Sequence, residues 1–284
     1  MDLAPVLQLC LFAHAAALLF WFGALCLTRV LGVGHTPGER RAMMVAAALA
    51  LLSGATWPWL QTGIVLDEPL AALDPQRVFE VLTQTSFGRT WLARQAIIAL
   101  AVLAAMAPLL SASRALLFLV AVSLASLALI GHAAAAGPVE QLTQATHLLA
   151  AGAWLGALPL LWLRVRRLAP RDMALLLRRF SGYGIVLVSM VVMTGALSAW
   201  YRSGSLGVLL ASAYGRVLLA KVGCVALMGV AALANRNWLT PGLELGQDTE
   251  AAQRALRWSI GAESALGLVV IALAVALAAA EAPR

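Results

Sequence analysis

His132 and His147 flank a short Gly-Pro turn in the stretch GHAAAAGPVEQLTQATHLLAAGAWLG, Gly131 to Gly156, and each borders a long apolar run. His14 lies inside the first apolar run, four residues after Cys10, so thiol and imidazole leave one face of a helix. Met190 and Met193 recur three apart in a later run, again on one face. Imidazole, thiol and thioether together suit copper, and soft sulfur favours Cu(I). A hard cation wants convergent carboxylates, and the apolar runs offer only Glu263. Ionisable groups inside a membrane are costly and by default mark function. Plainer readings stand beside this one. Each histidine can serve as a helix-packing hydrogen bond. Cys10 can be a small buried hydrophobe, and the two methionines can be filler. Arg94 and Lys221 sit near the ends of two apolar runs. They snorkel outward or hold an anionic group, and they repel a metal cation. A haem propionate or a quinone would suit them better.

These residues need helices to hold them. Of 284 residues 62% are hydrophobic, with a mean hydropathy of +0.88, more apolar surface than a soluble domain can bury. The runs are Ala/Leu/Val helical sequence without strand-like alternation, so the chain is an all-α integral membrane protein. A span needs about 20 apolar residues. Eight stretches qualify: Leu3–Val30, Ala42–Leu66, Thr90–Leu110, Ala115–Ala136, Val139–Leu163, Phe180–Tyr201, Tyr214–Ala234 and Leu256–Ala280. The linker over 67–89 is acidic and broken by Pro69 and Pro75, with room for a short surface helix. Cys10, Cys26 and Cys224 all lie in apolar runs, the wrong place for a disulfide framework. The net charge of +7 is mostly arginine in short loops and reports topology, not nucleic-acid binding. Arg29, Arg40 and Arg41 follow the first span; Arg164, Arg166, Arg167, Arg171, Arg178 and Arg179 follow the fifth. These loops are expected in the cytoplasm, which puts both termini outside.

The chain also repeats itself. His14, Trp21 and Gly23 have the spacing of His147, Trp154 and Gly156. GATWPWLQTG (Gly54–Gly63) aligns with GALSAWYRSG (Gly195–Gly204), and SFGRTWLAR (Ser86–Arg94) with AYGRVLLAK (Ala213–Lys221). Three motifs in one order predict two four-helix repeats, 1–136 and 137–284, parallel about an axis along the membrane normal. His132 has no counterpart, and the last span carries Glu263 instead. At 1.5 Å per residue His14 lies roughly 15 Å below the outer end of its span. Packing about the axis then brings His14 and His147 face to face, with His132 above and Trp21 and Trp154 shaping the cavity.

Taken together, GHA at Gly131–Ala133, THLLAAGAWLG at Thr146–Gly156, FGRTWLAR at Phe87–Arg94, YGRVLLAK at Tyr214–Lys221 and NR at Asn235–Arg236 resemble the CopD family of bacterial copper-resistance membrane proteins, also found as the domain of YcnJ-type copper importers. The resemblance covers essentially the whole chain. It implies copper movement across the inner membrane beside a periplasmic copper-binding partner of CopC type. It also implies His14, His132 and His147 as metal-binding positions. No CopC-like domain and no Met-rich external segment is present, which argues for a separate periplasmic donor. Two other functions stay open: a b-type haem protein that oxidises copper or quinol, its histidines serving as axial ligands, and a copper-binding assembly factor. The first would make the chain an enzyme. Transport direction, copper oxidation state and oligomeric state are open at this point.

Overall fold

The computed structural model describes residues 2–32, 34–107, 113–203, 207, 211–244 and 249–280, and the side chains of 30, 31, 132, 133, 202 and 203 fall outside the description. The described residues are helical throughout, with short turns between elements. Helix α1, Ala4–Leu31, starts at Pro5 and stops at Gly32, whose left-handed φ of 62° caps it. It is the central strut. Leu18, Trp21 and Ala24 are fully buried, and α1 packs on most of the other long helices. Helix α2, Pro37–Val65, opens with a capping box: Thr36 Oγ1 accepts from the Glu39 amide and Glu39 accepts from the Thr36 amide.

Pro58 stands inside α2 and lacks the N–H that would bond the Gly54 carbonyl. Lipid offers that carbonyl no water. Trp91 supplies the missing donor, its indole Nε1 lying 2.9 Å from Gly54 O. The acidic linker holds a 3₁₀ turn, Pro69–Leu73, and an amphipathic surface helix α3, Pro75–Gln84, capped by Asp74. Helix α4, Ser86–Met106, is capped by Thr85.

The second half begins after α5, Arg114–Ala125, and the small α6, His132–Ala136. Helices α7, Pro138–Leu155, and α8, Leu158–Val165, form one bent rod. Then come α9, Pro170–Ser203, and α10, Ala213–Ala234. A π-turn at Asn235–Leu239 leads to α11, Thr240–Glu244, and α12, Thr249–Ala279, closes the chain. Arg164 at the end of α8 grips Glu39 in the first turn of α2 with two bonds of 3.0 and 3.1 Å, both partners buried. That pair sets the exits of α1 and α8 at one basic end of the molecule, where Arg178 also pairs with Glu244. In the middle of the bundle Gly23 and Gly156 touch backbone to backbone: a Cβ on Gly156 would fall 1.8 Å from Leu19 O. Only glycine lets α1 and α7 come so close. Leu9, Phe118, Met193 and Val230 are more than 60% exposed, the large apolar surface that lipid covers.

Among the described residues seven helices are long and apolar enough to cross a membrane, where the sequence leads one to expect eight. The expected fourth span, Ala115–Ala136, is shorter. Helix α5 gives way to a 3₁₀ turn at Ser126–Leu129, and the chain breaks at Gly131, whose φ is 78°. The turn starts where the Ser123 carbonyl is bonded by Ser126 Oγ at 2.9 Å and by Arg94 at 3.4 Å. His132 therefore opens the separate α6 rather than closing a span, and its side chain lies outside the described residues. The arginines expected in a loop after the fifth span also fall differently. Arg171, Arg178 and Arg179 ride on the first turns of α9, which runs well beyond the bilayer.

Candidate functional site

His14 is 1% exposed and enclosed by α2 and α4. Its Nδ1 lies 3.0 Å from Ala50 O and 3.2 Å from Ser53 Oγ. A carbonyl only accepts, so Nδ1 carries the proton. Nε2 is then the lone-pair nitrogen, and it accepts from Arg94 Nη2 at 3.2 Å. Both ring nitrogens are engaged. Arg94 is itself 2% exposed. Its Nε donates to Ser126 Oγ at 2.9 Å, and its guanidinium lies 5.7 Å from the centroid of Trp57, which meets His14 edge-on at 5.9 Å. Arg94 thus points inward and does not snorkel. It spends its donors on an imidazole, a hydroxyl and a carbonyl, the pattern that keeps a buried cation tolerable.

Cys10 donates to Ser53 O at 3.1 Å, one helical turn above His14. Sulfur and imidazole therefore share the α1–α2 seam.

His147 occupies the corresponding seam between α7 and α9. Its Nδ1 lies 2.9 Å from Thr194 Oγ1, and that hydroxyl donates to Met190 O at 2.5 Å. With its own proton committed, Thr194 Oγ1 accepts from His147, so Nε2 bears the lone pair. The ring packs over Gly195, where an added Cβ would be 3.5 Å from Cε1. Ser53 and Thr194 each precede the glycine that opens a matched motif, and Arg94 and Lys221 end the next pair. Sequence reading picked out both histidines and both cations. It missed the hydroxyls, although alignment at Gly54 and Gly195 would have paired them.

The expected face-to-face arrangement is not found. His14 turns its nitrogens to α2 and α4, and His147 turns Nδ1 to α9. His14 is held by the Ala50 carbonyl and by Arg94, and His147 by the Thr194 hydroxyl. Among the described residues no three His, Cys, Asp or Glu side chains gather closely enough to hold a metal ion. Met190 is partly exposed and Met193 is 72% exposed on the outer surface of α9. Trp21 and Trp154 are core residues against the α1–α7 contact. Lys221 is half-buried on α10. Glu263 sits apart from both histidines, accepting from Asn235 Nδ2 at 2.6 Å. An axial haem ligand needs an open lone pair, and that of His14 is held by Arg94.

The family description Copper resistance protein D matches residues 174–277, and Copper resistance protein D-like, N-terminal domain, matches 1–141. The chain is 30% identical over 268 residues to "Inner membrane protein YebZ" of Escherichia coli (strain K12), covering 92% of this chain and 90% of that protein. It is 32% identical over 215 residues to "Copper resistance protein D" of Pseudomonas syringae pv. tomato, 68% of either chain. The chain belongs to the Copper resistance protein D family. As a member of that family with seven spanning helices, it is a multi-pass protein of the inner membrane. No solved structure matches it. The two matches leave residues 142–173, which include His147, between them.

Proposed function

We propose that this protein carries copper across the inner membrane, taking it from the outer side at His147. The observation that carries this reading is the His147–Thr194 bond of 2.9 Å. Metal-binding imidazoles characteristically donate their second N–H to a fixed acceptor, which sets the tautomer and makes the ligand nitrogen more basic. His147 has that arrangement, and family membership supplies the metal. Met190, on the turn that anchors Thr194, and Cys10 in the matching seam offer soft donors, which favour Cu(I). His14 is a second station, closed to a cation while Arg94 occupies Nε2. His132, ahead of α7 in the chain, receives copper first, and Met193 extends that entrance.

The basic end carrying Arg29, Arg40, Arg41 and Arg164 faces the cytoplasm by charge bias. The N-terminal end of α1 then faces the periplasm, where a CopC-type protein hands over the metal. Arg114–Leu129 serves as a short eighth crossing, which returns the C-terminus to the periplasm. The contact of Gly23 on Gly156, matched glycines in matched helices, supports two parallel repeats that rock about this point to move the ion. The test is elemental analysis with an absorption spectrum on freshly purified, detergent-solubilised protein. Stoichiometric copper, lost in His147→Ala, is the expected result. Iron with a Soret band would replace the transport reading by a haem protein.

A further inference from the structure

A second polar site lies in the inner half of the bundle, away from both histidines. A cavity of about 400 Å³ opens between α9 and α10, a volume in the range of small-molecule sites. Its walls are apolar, with Trp154 and Phe180 on one side and Gly229 and Val230 on the other. Helices α9 and α10 make almost no direct contact, each leaning instead on α7 or α12. Ile185, Val230 and Leu233 stand at the gap with more than 50% exposure. The cavity is thus reached sideways, from the lipid. The matching helices of the first half, α2 and α4, are bridged directly by Trp91 and Gln95, so the gap is special to this half.

The end wall of the cavity is polar and incomplete. Glu263 is 2% exposed and Asn235 8% exposed. Asn235 Nδ2 donates to Glu263 Oε1, so the amide oxygen must point the other way, and Asn235 Oδ1 has no partner. The π-turn over Asn235–Leu239 holds the residue there: the Asn235 carbonyl accepts from both the amide and the hydroxyl of Thr240. Single π-turns inside helices concentrate at functional sites. Arg236, next in sequence, closes the rim by donating to Ser181 Oγ of α9 at 2.9 Å.

A buried acceptor with no donor calls for a ligand that brings one. The carboxylate beside it repels phosphate headgroups, and a bare acyl chain leaves Asn235 Oδ1 unmet. A metal ion finds only one carboxylate. We propose that this cleft binds a membrane-soluble hydroquinone, its ring between Trp154 and Phe180 and its inner hydroxyl donating to Asn235 Oδ1.

The full chain in nanodiscs of zwitterionic phospholipid tests this under anaerobic conditions. The probe is a decyl-substituted benzohydroquinone, compared with its dimethyl ether, which keeps the shape and loses the donors. Retention is measured against empty discs. Saturable one-to-one retention of the hydroquinone is expected, with the ether at least tenfold weaker. Asn235→Leu removes the orphan acceptor while Ser259 still serves Glu263, and should weaken the hydroquinone about tenfold without affecting the ether. Gly229→Phe should abolish retention, because a side chain there grows into open space without touching backbone. Equal retention of hydroquinone and ether overturns the proposal, as does retention that survives both substitutions or no retention above empty discs. Elution of each variant as a single species shows that it folds.

Discussion

Arg94 gives the sharpest test of the histidine reading. Its Nη2 lies 3.2 Å from His14 Nε2, on the lone pair that a metal would need. Copper binds only if the guanidinium swings aside, and its bonds to Ser126 and to the Ser123 carbonyl hold it near. A separation of about 5 Å between ion and guanidinium at an effective dielectric near 20 gives a repulsion of about 3 kcal/mol. Each 1.4 kcal/mol is tenfold in affinity, so Arg94 weakens copper at His14 by roughly a hundredfold. Arg94→Gln removes the charge and keeps an amide in reach of Ser126. Arg94→Lys keeps the charge. Both should be made in a His132→Ala/His147→Ala background, where His14 is the remaining candidate histidine. Copper(I) affinity is then read by competition with a chromophoric chelator, after elution profile and thermal midpoint have shown that each variant folds. Arg94→Gln should tighten binding about a hundredfold and Arg94→Lys should leave it weak. Equal affinity in the two variants would refute the reasoning and leave the Arg94–His14 bond as helix packing alone.

Other substitutions bear on the same architecture. Thr194→Val removes the acceptor that fixes His147 and should weaken copper binding roughly tenfold or more, measured by the same competition; unchanged affinity would detach the hydroxyl from the site. Gly156→Ala puts a methyl into Leu19 O and should cost about 3 kcal/mol or more by thermal unfolding in detergent, whereas Gly182→Ala, with open space around it, should be neutral. Breaking the buried Glu39–Arg164 pair by Glu39→Gln should cost about 3–5 kcal/mol, while replacing both partners with methionine should recover most of it. His35, in the turn between α1 and α2, is held below its usual value of 6.5 by burial first, with Glu39 opposing and Arg164 and Arg40 adding to the shift. The unfolded chain therefore takes up that proton first. Stability from this group is complete above about pH 6.5 and falls as pH drops towards the lowered value. The thermal midpoint of wild type relative to His35→Gln, followed from pH 8 to pH 5, should fall in that direction.

The long helices were legible because membrane spans announce themselves by length and composition alone, and α1, α2 and α10 begin and end close to where the apolar runs do. The short fourth element was not. Ala115–Ala136 reads as one apolar run, and nothing in its hydropathy shows that Ser123 and Ser126 will turn their bonds towards an arginine on another helix. The same blindness explains Arg94. A cation near the end of a span reads as a snorkelling residue, and only the fold reveals that histidine, serine and tryptophan wait for it inside. His14 and His147 were legible as special because ionisable groups are rare in such runs. Their orientation was not, since a backbone carbonyl, an arginine and a threonine on other helices decide it.

The two seams differ in a way that bears on direction. In the first, imidazole, guanidinium, two serines and Trp57 form one saturated network around His14, and α2 and α4 are tied together by Trp91 and Gln95. In the second, the histidine bonds Thr194, Met193 faces outward, and α9 and α10 stand apart over a cavity. Rearranging the first seam means breaking several charge-assisted bonds inside a low-dielectric interior, at roughly 1.5–3 kcal/mol each. On the transport reading proposed above, motion would belong to α9 and α10, which make little direct contact, with α1, α2 and α4 as the frame and the dense contact of Gly23 on Gly156 as the fulcrum between them. On that reading His147 would be the ligand that moves with its helix partners, and His14 the one that a fixed arginine withholds.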